Sequence, residues 1–468
     1  MTGGPAFAAT SAVQDLDWEA CPTDTMPTLE CTTVEVPVDW EDPSGETFQL
    51  SVNRLPASDL DTNLGSLFLN PGGPGTSGTG AVEWNMFFVP PELQAVSKYY
   101  DVIGFDPRGI GNSSPLHCDV SLDTPGVPLL PTNEAEFNAL RDANQQIGDS
   151  CRAGSGPVID HVDSASAAKD AEAIRIALGE QTISWFTISY GTELAQEYAL
   201  RFGEHVDKMV LDGNVDHTQS PLKALVAESS MEEEAWNAFA SWCESDTSCA
   251  LYGMDVDRVL DDLHAGADRT PLQNTTTGRA ANGTEIMLSV YGALLGHDNW
   301  PQLAVGLRAA AGVDAAADVA TLGSGATWAR SDPNYRYIWC EDLGDGFTSA
   351  TQAANMVRTL KRVAPHTWRY SEVADILSGC TGLPVTKGNP PSKERISIPN
   401  PALVVSNIID PSTTRLWGEL VHKRIDGSQM LTTDGIGHTA LFNSPCGRSA
   451  IADYLIRGAL PTAARCSG

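Results

Sequence analysis

No stretch of the 468 residues comes near the ~18 consecutive apolar residues that a bilayer-crossing helix needs, so no membrane span is expected. Basic residues are scarce: 29 Lys and Arg stand against 60 Asp and Glu, a formal net charge of −31. Such a field repels polyanions, which excludes nucleic acid and anionic membrane surfaces as partners. Cysteines in C-x-x-C spacing are missing, and no Cys/His cluster has the spacing of zinc ligands. Neither a metal nor another cofactor is therefore expected. A charged-then-apolar leader is missing too. Ala6-Phe7-Ala8-Ala9 resembles the small-residue region near a cleavage site, and the chain is read as processed or trimmed.

What is present is an ordinary globular composition, 42% apolar and 19% charged, enough for a sizeable core. The ten cysteines fall as near neighbours: Cys21 and Cys31, Cys118 and Cys151, Cys243 and Cys249, Cys340 and Cys380, Cys446 and Cys466. Five local disulfides in an oxidising compartment explain that pattern, so a secreted or otherwise extracytoplasmic protein is expected.

Short β-rich runs occur at Thr33–Asp39, Phe48–Leu55, Gly65–Asn70, Tyr100–Phe105, Ser184–Ile188, Lys208–Asp212, Ala402–Ile409 and Gln429–Thr432. From Gly65 onward they are apolar and bounded by Gly, Pro, Asn or Asp, as buried parallel strands are. Ala-rich segments with helical spacing, Ser164–Leu178 and Thr192–Phe202, suit crossover helices. This alternation predicts a doubly wound, mostly parallel α/β sheet. Between Asp212 and Ala402 the chain reads mainly helical (Lys223–Trp242, Asp255–Leu263, Ile286–Leu295, Trp300–Ala311, Ser349–Val363). A crossover that long points to an inserted helical cap. The expected division is a core over 1–216, a cap over 217–398 and the rest of the core over 399–468, with Thr381–Pro399 as the linker back.

Four segments carry chemistry. In Thr187-Ile188-Ser189-Tyr190-Gly191-Thr192 a serine sits in a tight strand-to-helix turn, near the positive end of a helix. Gly191 keeps the turn free of a clashing side chain, while Thr187 stands where a second Gly is usual. Leu69-Asn70-Pro71-Gly72-Gly73-Pro74-Gly75 follows a strand and offers bare backbone N–H groups. With the residue after the nucleophile it would form an oxyanion hole from Tyr190 and Gly73, or Gly72. Asp410 follows the next-to-last long strand run and His438 the last, so serine, acid and histidine come in the order this α/β-hydrolase fold requires. Ser189 is then the expected nucleophile, His438 the base and Asp410 its orienting partner.

Asn70-Pro71-Gly72-Gly73-Pro74-Gly75, Asp106-Pro107-Arg108-Gly109, Ser189-Tyr190-Gly191-Thr192 and Val210-Leu211-Asp212-Gly213 together resemble the tripeptidyl-aminopeptidase-like branch of the proline-iminopeptidase clan. The likeness runs from about Cys21 onward and is weakest in the cap. It implies an α/β-hydrolase fold, cysteine pairs Cys21/Cys31 and Cys340/Cys380, and a structural role for Asp106 and Arg108 beneath the nucleophile. It also implies release of short peptides or single residues from free N-termini, with acidic cap residues holding the ammonium. Glu341 and Asp342, beside Cys340, are the candidates for that role. Glu232, Glu233 and Glu234 read as the exposed face of a helix, and most of Trp236, Trp242, Trp300, Trp328 and Trp339 as cap core. Departures from the family pattern are Thr76, Thr187, Glu193 and Asn407. An exopeptidase is thus the first expectation. An esterase, lactonase or amidase for a small apolar molecule is the second, and a non-catalytic binding protein the third, because the triad cleaves either bond and the cap sets the choice.

Overall fold

Each of the strand runs read from the sequence forms a strand in the computed structural model, which describes residues 14–23, 26–122, 124, 126–275, 278, 280–313, 317–322 and 332–467. Ala6–Ala9 and Trp328 lie outside these. In chain order the strands of the main sheet are β1 (Glu19–Ala20), β2 (Glu30–Pro37), β3 (Thr47–Leu55), β4 (Ser66–Asn70), β5 (Asp101–Phe105), β6 (Ile183–Ile188) and β7 (Val206–Asp212). A separate hairpin, β8 (Leu272–Gln273) with β9 (Ala280–Ala281), precedes β10 (Leu403–Ile409), β11 (Gln429–Ile436) and β12 (Arg465–Cys466). The main sheet has the order β1-β2-β3-β5-β4-β6-β7-β10-β11-β12. β1, β2, β3 and β5 pair antiparallel, and from β5 through β4 to β12 every pairing is parallel.

The burial pattern explains the split. β4 and β6 are buried at every position, as strands covered on both faces must be, whereas β2 alternates buried and exposed. Side chains on either face of β4 and β6 enter different cores. Phe68 and Trp185 pack against α3 (Ser164–Ala177) and α4 (Gly191–Phe202). Leu67, Leu69 and Phe186 pack against α1 (Gly78–Glu83) and the C-terminal helix Pro445–Arg457. Arg108 lies fully buried below, forked onto Asp170 at 2.7 and 2.6 Å and bonded to the carbonyls of Pro37, Val38 and His161.

The chain between β7 and β10 is helical: α5 (Pro221–Ser245), α6 (Val256–Arg269), α7 (Gly283–Leu294), α8 (Trp300–Ala310), α9 (Pro333–Leu343), α10 (Ala350–Val363) and α11 (Glu372–Cys380). It has its own apolar core, in which Trp236, Phe239 and Trp300 meet, with Trp242 against them. The helices that the sequence reading missed include α2 (Glu134–Ser155), α9 and α11. α9 mixes aromatic and charged residues without a clear stripe, and α11 has only nine residues. α2 joins the helical layer from outside it, because Asn144 donates to the carbonyls of Ser378 and Thr381, both at 2.8 Å.

The acidic run needs correction. Glu232 and Glu233 are buried and only Glu234 is exposed. The buried side of α5 runs Leu225, Glu228, Glu232, Trp236, Phe239, Cys243, a spacing of three and four that puts two carboxylates on an apolar stripe. The five disulfides join the neighbouring cysteines: 21–31, 118–151, 243–249, 340–380 and 446–466. Among the described residues no helix is long and apolar enough to cross a membrane.

Candidate active site

Ser189 stands between β6 and α4 with φ of 55°, a left-handed conformation that side chains rarely adopt. Its neighbours hold it there. The Ser189 N–H donates to the Asp212 carbonyl at 3.0 Å, and its own carbonyl accepts from the Thr192 N–H (2.9 Å) and Oγ1 (2.7 Å). Gly191 is required for a reason the sequence does not reveal. A Cβ there would lie 2.6 Å from Asn70 Oδ1 and 2.7 Å from Asn70 O, so the clash is with the glycine loop after β4. Thr187, in place of a glycine, is accommodated inside the sheet and donates to the Val210 carbonyl at 3.3 Å.

That glycine loop lies directly on the elbow: a Cβ on Gly72 would meet Ser189 Cβ at 2.8 Å and Tyr190 N at 3.2 Å. The Gly72 N–H is occupied by Asn70 Oδ1 at 2.9 Å. The N–H groups of Gly73 and Tyr190 have no hydrogen-bond partner among the described residues, which singles out Gly73 from the expected pair of alternatives. Gly73 and Ser189 line the same cavity.

Asp410, fully buried after β10, accepts the N–H groups of Ser412 (3.0 Å), Thr413 (2.9 Å) and Thr439 (3.0 Å) and the Thr413 hydroxyl (3.0 Å). His438 Nδ1 lies 3.0 and 3.1 Å from its two oxygens. That contact fixes the proton on Nδ1 and leaves Nε2 as the acceptor. Burial disfavours the imidazolium, but Asp410 outweighs it, with Glu372 and Asp212 adding to the effect, so the His438 pKa is raised. Ser189 and His438 flank the Asp212–Gly213 turn, where a Cβ on Gly213 would sit 3.4 Å from His438 Cε1. They are not hydrogen-bonded to one another in this structure.

Two further residues place the histidine, and the sequence reading gave neither a role. Asp212, at the end of β7, accepts the N–H groups of Ala440 (2.8 Å) and Leu441 (2.7 Å), which open the short helix after His438. Burial pushes its carboxyl up to about 7 despite those bonds. Asn407, in place of the family's glycine, donates to the carbonyls of Gly437 and Thr439, both at 2.9 Å. The helical layer contributes as well, because the His438 N–H donates to the Leu295 carbonyl at 2.7 Å.

The cavity at Ser189 is small, ≈ 30 Å³, and its walls include Glu228, Trp339, Glu372 and Trp417. A larger groove of ≈ 620 Å³ runs along Trp18, Glu30 and Leu55 near β1 and β2, but Ser189 and His438 are not among its walls. Glu341 and Asp342 do not face the cavity; here the expectation fails. Both are fully buried and face the core instead: Glu341 accepts the Val162 N–H (2.9 Å), Asp342 the Ser164 N–H (2.9 Å). The carboxylates at the cavity are Glu228 and Glu372. Glu372 accepts the hydroxyls of Tyr291 (2.9 Å), Tyr335 (2.8 Å) and Ser412 (2.8 Å). Glu228 accepts the Val373 N–H on Oε2, at 2.8 Å, while its Oε1 is buried with no hydrogen-bond partner among the described residues. Burial first, then Glu372, holds the Glu228 pKa well above the ordinary range. The α5 stripe was the signal that could have found Glu228.

Among the described residues one trio has metal-like spacing: Glu193, Glu197 and His217, with ligand atoms within 4.8 Å of one another. Arg201 and Arg424 already contact Glu197, and His217 Nε2 is engaged by the Asp342 carbonyl at 2.9 Å. The trio therefore brings its own cations and fits an ion network better than a metal site.

The comparisons with known proteins agree with this architecture. A family model described as "alpha/beta hydrolase fold" matches residues 65–311, and one described as "TAP-like protein" matches residues 365–466. The Serine protease Hip1 of Mycobacterium tuberculosis is 29% identical over 503 residues, covering 100% of this chain and 94% of that protein. The Tripeptidyl aminopeptidase of Streptomyces lividans is 28% identical over 479 residues, covering 97% and 87%. Carboxylesterase B of Mycobacterium tuberculosis is 29% identical over 478 residues, covering 96% and 89%. With the sheet, the elbow and these full-length relatives together, the chain belongs to the α/β-hydrolase family, carries a TAP-like C-terminal region, and is a serine hydrolase.

Proposed function

We propose that the protein is a secreted serine exopeptidase that cuts short acyl units from peptides with a free N-terminus. Ser189 attacks the scissile carbonyl while His438 Nε2 takes its proton. Asp410 stabilises the imidazolium, and the N–H groups of Gly73 and Tyr190 hold the oxyanion. His438 then returns the proton to the leaving amine, and water activated by the same imidazole releases the acyl group from Ser189. The helical layer over 217–398 acts as the cap that shapes the acyl site. The five disulfides support export.

The observation that carries the exopeptidase reading is the orphaned Oε1 of Glu228 at the cavity that Ser189 also lines. A buried carboxyl oxygen without a partner is costly, and an N-terminal ammonium supplies both the charge and the donors it lacks. Glu372 beside it completes an acidic end. Because both carboxylates share one small cavity with the nucleophile, the acyl part between ammonium and scissile carbonyl is short. The apolar walls Trp339 and Trp417, and a relative named as a carboxylesterase, favour the second reading, an esterase for a small apolar molecule.

Free and N-acetylated aminoacyl and tripeptidyl anilides separate the two. The exopeptidase cleaves free-amine substrates at least ~100-fold better, and Glu228→Gln raises KM for these about 10- to 100-fold while leaving acetylated ones unchanged. Equal cleavage of blocked and free substrates would discard the amine-binding reading in favour of the esterase.

A further inference from the structure

Catalysis by Ser189, His438 and Asp410 leaves unused a buried polar chain directly under the nucleophile. Tyr190, whose N–H is the proposed oxyanion donor, sets its ring edge-on to Trp339 of α9, with centroids 5.1 Å apart and planes at 74°. Its hydroxyl lies 2.6 Å from Ser164 Oγ and 3.3 Å from Asp342 Oδ2, and Ser164 Oγ lies 2.5 Å from that same oxygen. Asp342 also reaches the elbow helix by a second route. Its carbonyl meets His217 Nε2 at 2.9 Å, and His217 Nδ1 meets Glu193 Oε1, in the first turn of α4, at 2.7 Å. All of these groups are buried.

The protonation pattern follows from the contacts. His217 faces a carbonyl on one nitrogen and a carboxylate on the other, so both nitrogens carry protons. Burial opposes that cation, but Glu193 and then Glu197 hold it, and its pKa is raised well above the ordinary value. Asp342 is faced by Glu341 on its own helix, by Asp163 and Ser164 at the start of α3, by Tyr190 and Glu193, and by His217. Burial pushes its carboxyl up to about 8, with His217 pulling the other way. When Asp342 is neutral, three O–H groups close three oxygen–oxygen contacts. When it is ionised, the Ser164 and Tyr190 hydroxyls both donate to Oδ2, no proton remains for the contact between them, and the triangle opens on that side.

A merely structural junction at this depth needs no charge, since well-packed apolar residues hold helices together at least as firmly. Here one residue of the helical layer grips both Tyr190 and, through His217, Glu193. We propose that Asp342, with His217 and Glu193, forms a positioning device that aims the Tyr190 N–H at the oxyanion and ties the chemical step to the seating of α9 on the core. This rests on the reading of Tyr190 as an oxyanion donor.

The test uses the full chain and p-nitrophenyl acetate, whose lack of an amine removes substrate titration from the pH profile. Asp342→Ala lowers kcat about 10- to 100-fold with KM within about threefold, the size expected when an oxyanion donor is misaimed. Asp342→Asn, isosteric with the neutral acid, keeps kcat within about threefold of wild type at pH 6.5. It also keeps that rate through pH 9, where the wild type declines. Should Asp342→Ala fail to fold, the Asp342→Asn profile decides alone. An alkaline decline that persists in Asp342→Asn, or an Asp342→Asn variant as slow as Asp342→Ala, overturns the proposal. Ser189→Ala run alongside keeps the two readings apart: if it retains turnover, the assigned nucleophile is at fault, and if it is inert while Asp342→Ala is normal, only the positioning device is.

Discussion

The strand-end loops and part of the helical layer above them treat buried carboxylates in opposite ways. At the strand ends each carboxylate is met: Asp410 by backbone N–H groups, a hydroxyl and His438, and Asp212 by two N–H groups. In the layer, Glu228, Glu232 and Glu341 are equally buried but leave oxygens with no partner, and their pKa values are all held well above the ordinary range by burial. The difference is instructive. Dipoles that must greet charge arising during a reaction have to be in place beforehand, since reorganising them would add to the barrier. A group that recognises a ligand can wait incomplete for it.

The largest effect breaks the first half of that contrast. Ser189→Ala is expected to lower kcat by about 10⁴- to 10⁶-fold and to abolish labelling by a serine-directed fluorophosphonate. A folded, active wild type that resists the label would rule out Ser189 as nucleophile.

A middle-sized effect tests the layer through pH. Asp212 at about 7 and Asp342 at about 8, with Glu228, Glu232 and Glu341 well above ordinary values, are protonated when folded at pH values where the unfolded chain has released those protons. Their contribution is full below the ordinary carboxylate pKa of about 4 and is lost as pH rises through 7 to 8. Other groups act in reverse, Glu197 and His264 with the largest shifts. Glu197, held near 2 by His217 and Arg201 despite burial, and His264, which burial holds near 3, favour folding above those values. The melting temperature is therefore expected to peak in mild acid and fall by several degrees between about pH 5 and pH 8. Calorimetry that finds it climbing across that range would contradict the assignment of neutral buried acids.

The smallest effect separates carboxylates that await a ligand from those that merely tolerate burial. Glu232 has two orphaned oxygens and is not among the residues lining the cavity at Ser189. Glu232→Leu should stabilise the protein by about 1–3 kcal/mol at pH 8, with kcat/KM unchanged. Chemical denaturation that shows a loss of stability would mean the carboxyl has a partner worth keeping.

Much of the core is legible in the sequence because its signals are local. β4 and β6 are short apolar runs ending in Asn-Pro-Gly-Gly and in a serine turn, and Asp410 and His438 follow consecutive strands in the order the fold demands. The helical layer is less legible because its decisive property, the face a residue presents, is set by packing between distant segments. Glu341 and Asp342 look like free acids beside Cys340, yet Val162 and Ser164, far away in the chain, absorb them. Glu372 sits on a helix too short to show a period. Asn407 and Asp212 matter through carbonyls and N–H groups of the histidine loop, which leave no trace in residue type.

The Cys340–Cys380 bond has a consequence for how specificity can evolve. It ties α9, which carries Trp339, to α11, which carries Glu372, so two walls of the cavity at Ser189 are stitched together. The gap between them is set covalently and does not open by gradual drift of helix spacing. New substrates must be admitted by trimming or enlarging single side chains on a frame of fixed width, so variants selected for altered preference should cluster at Trp339, Val373 and Ile376.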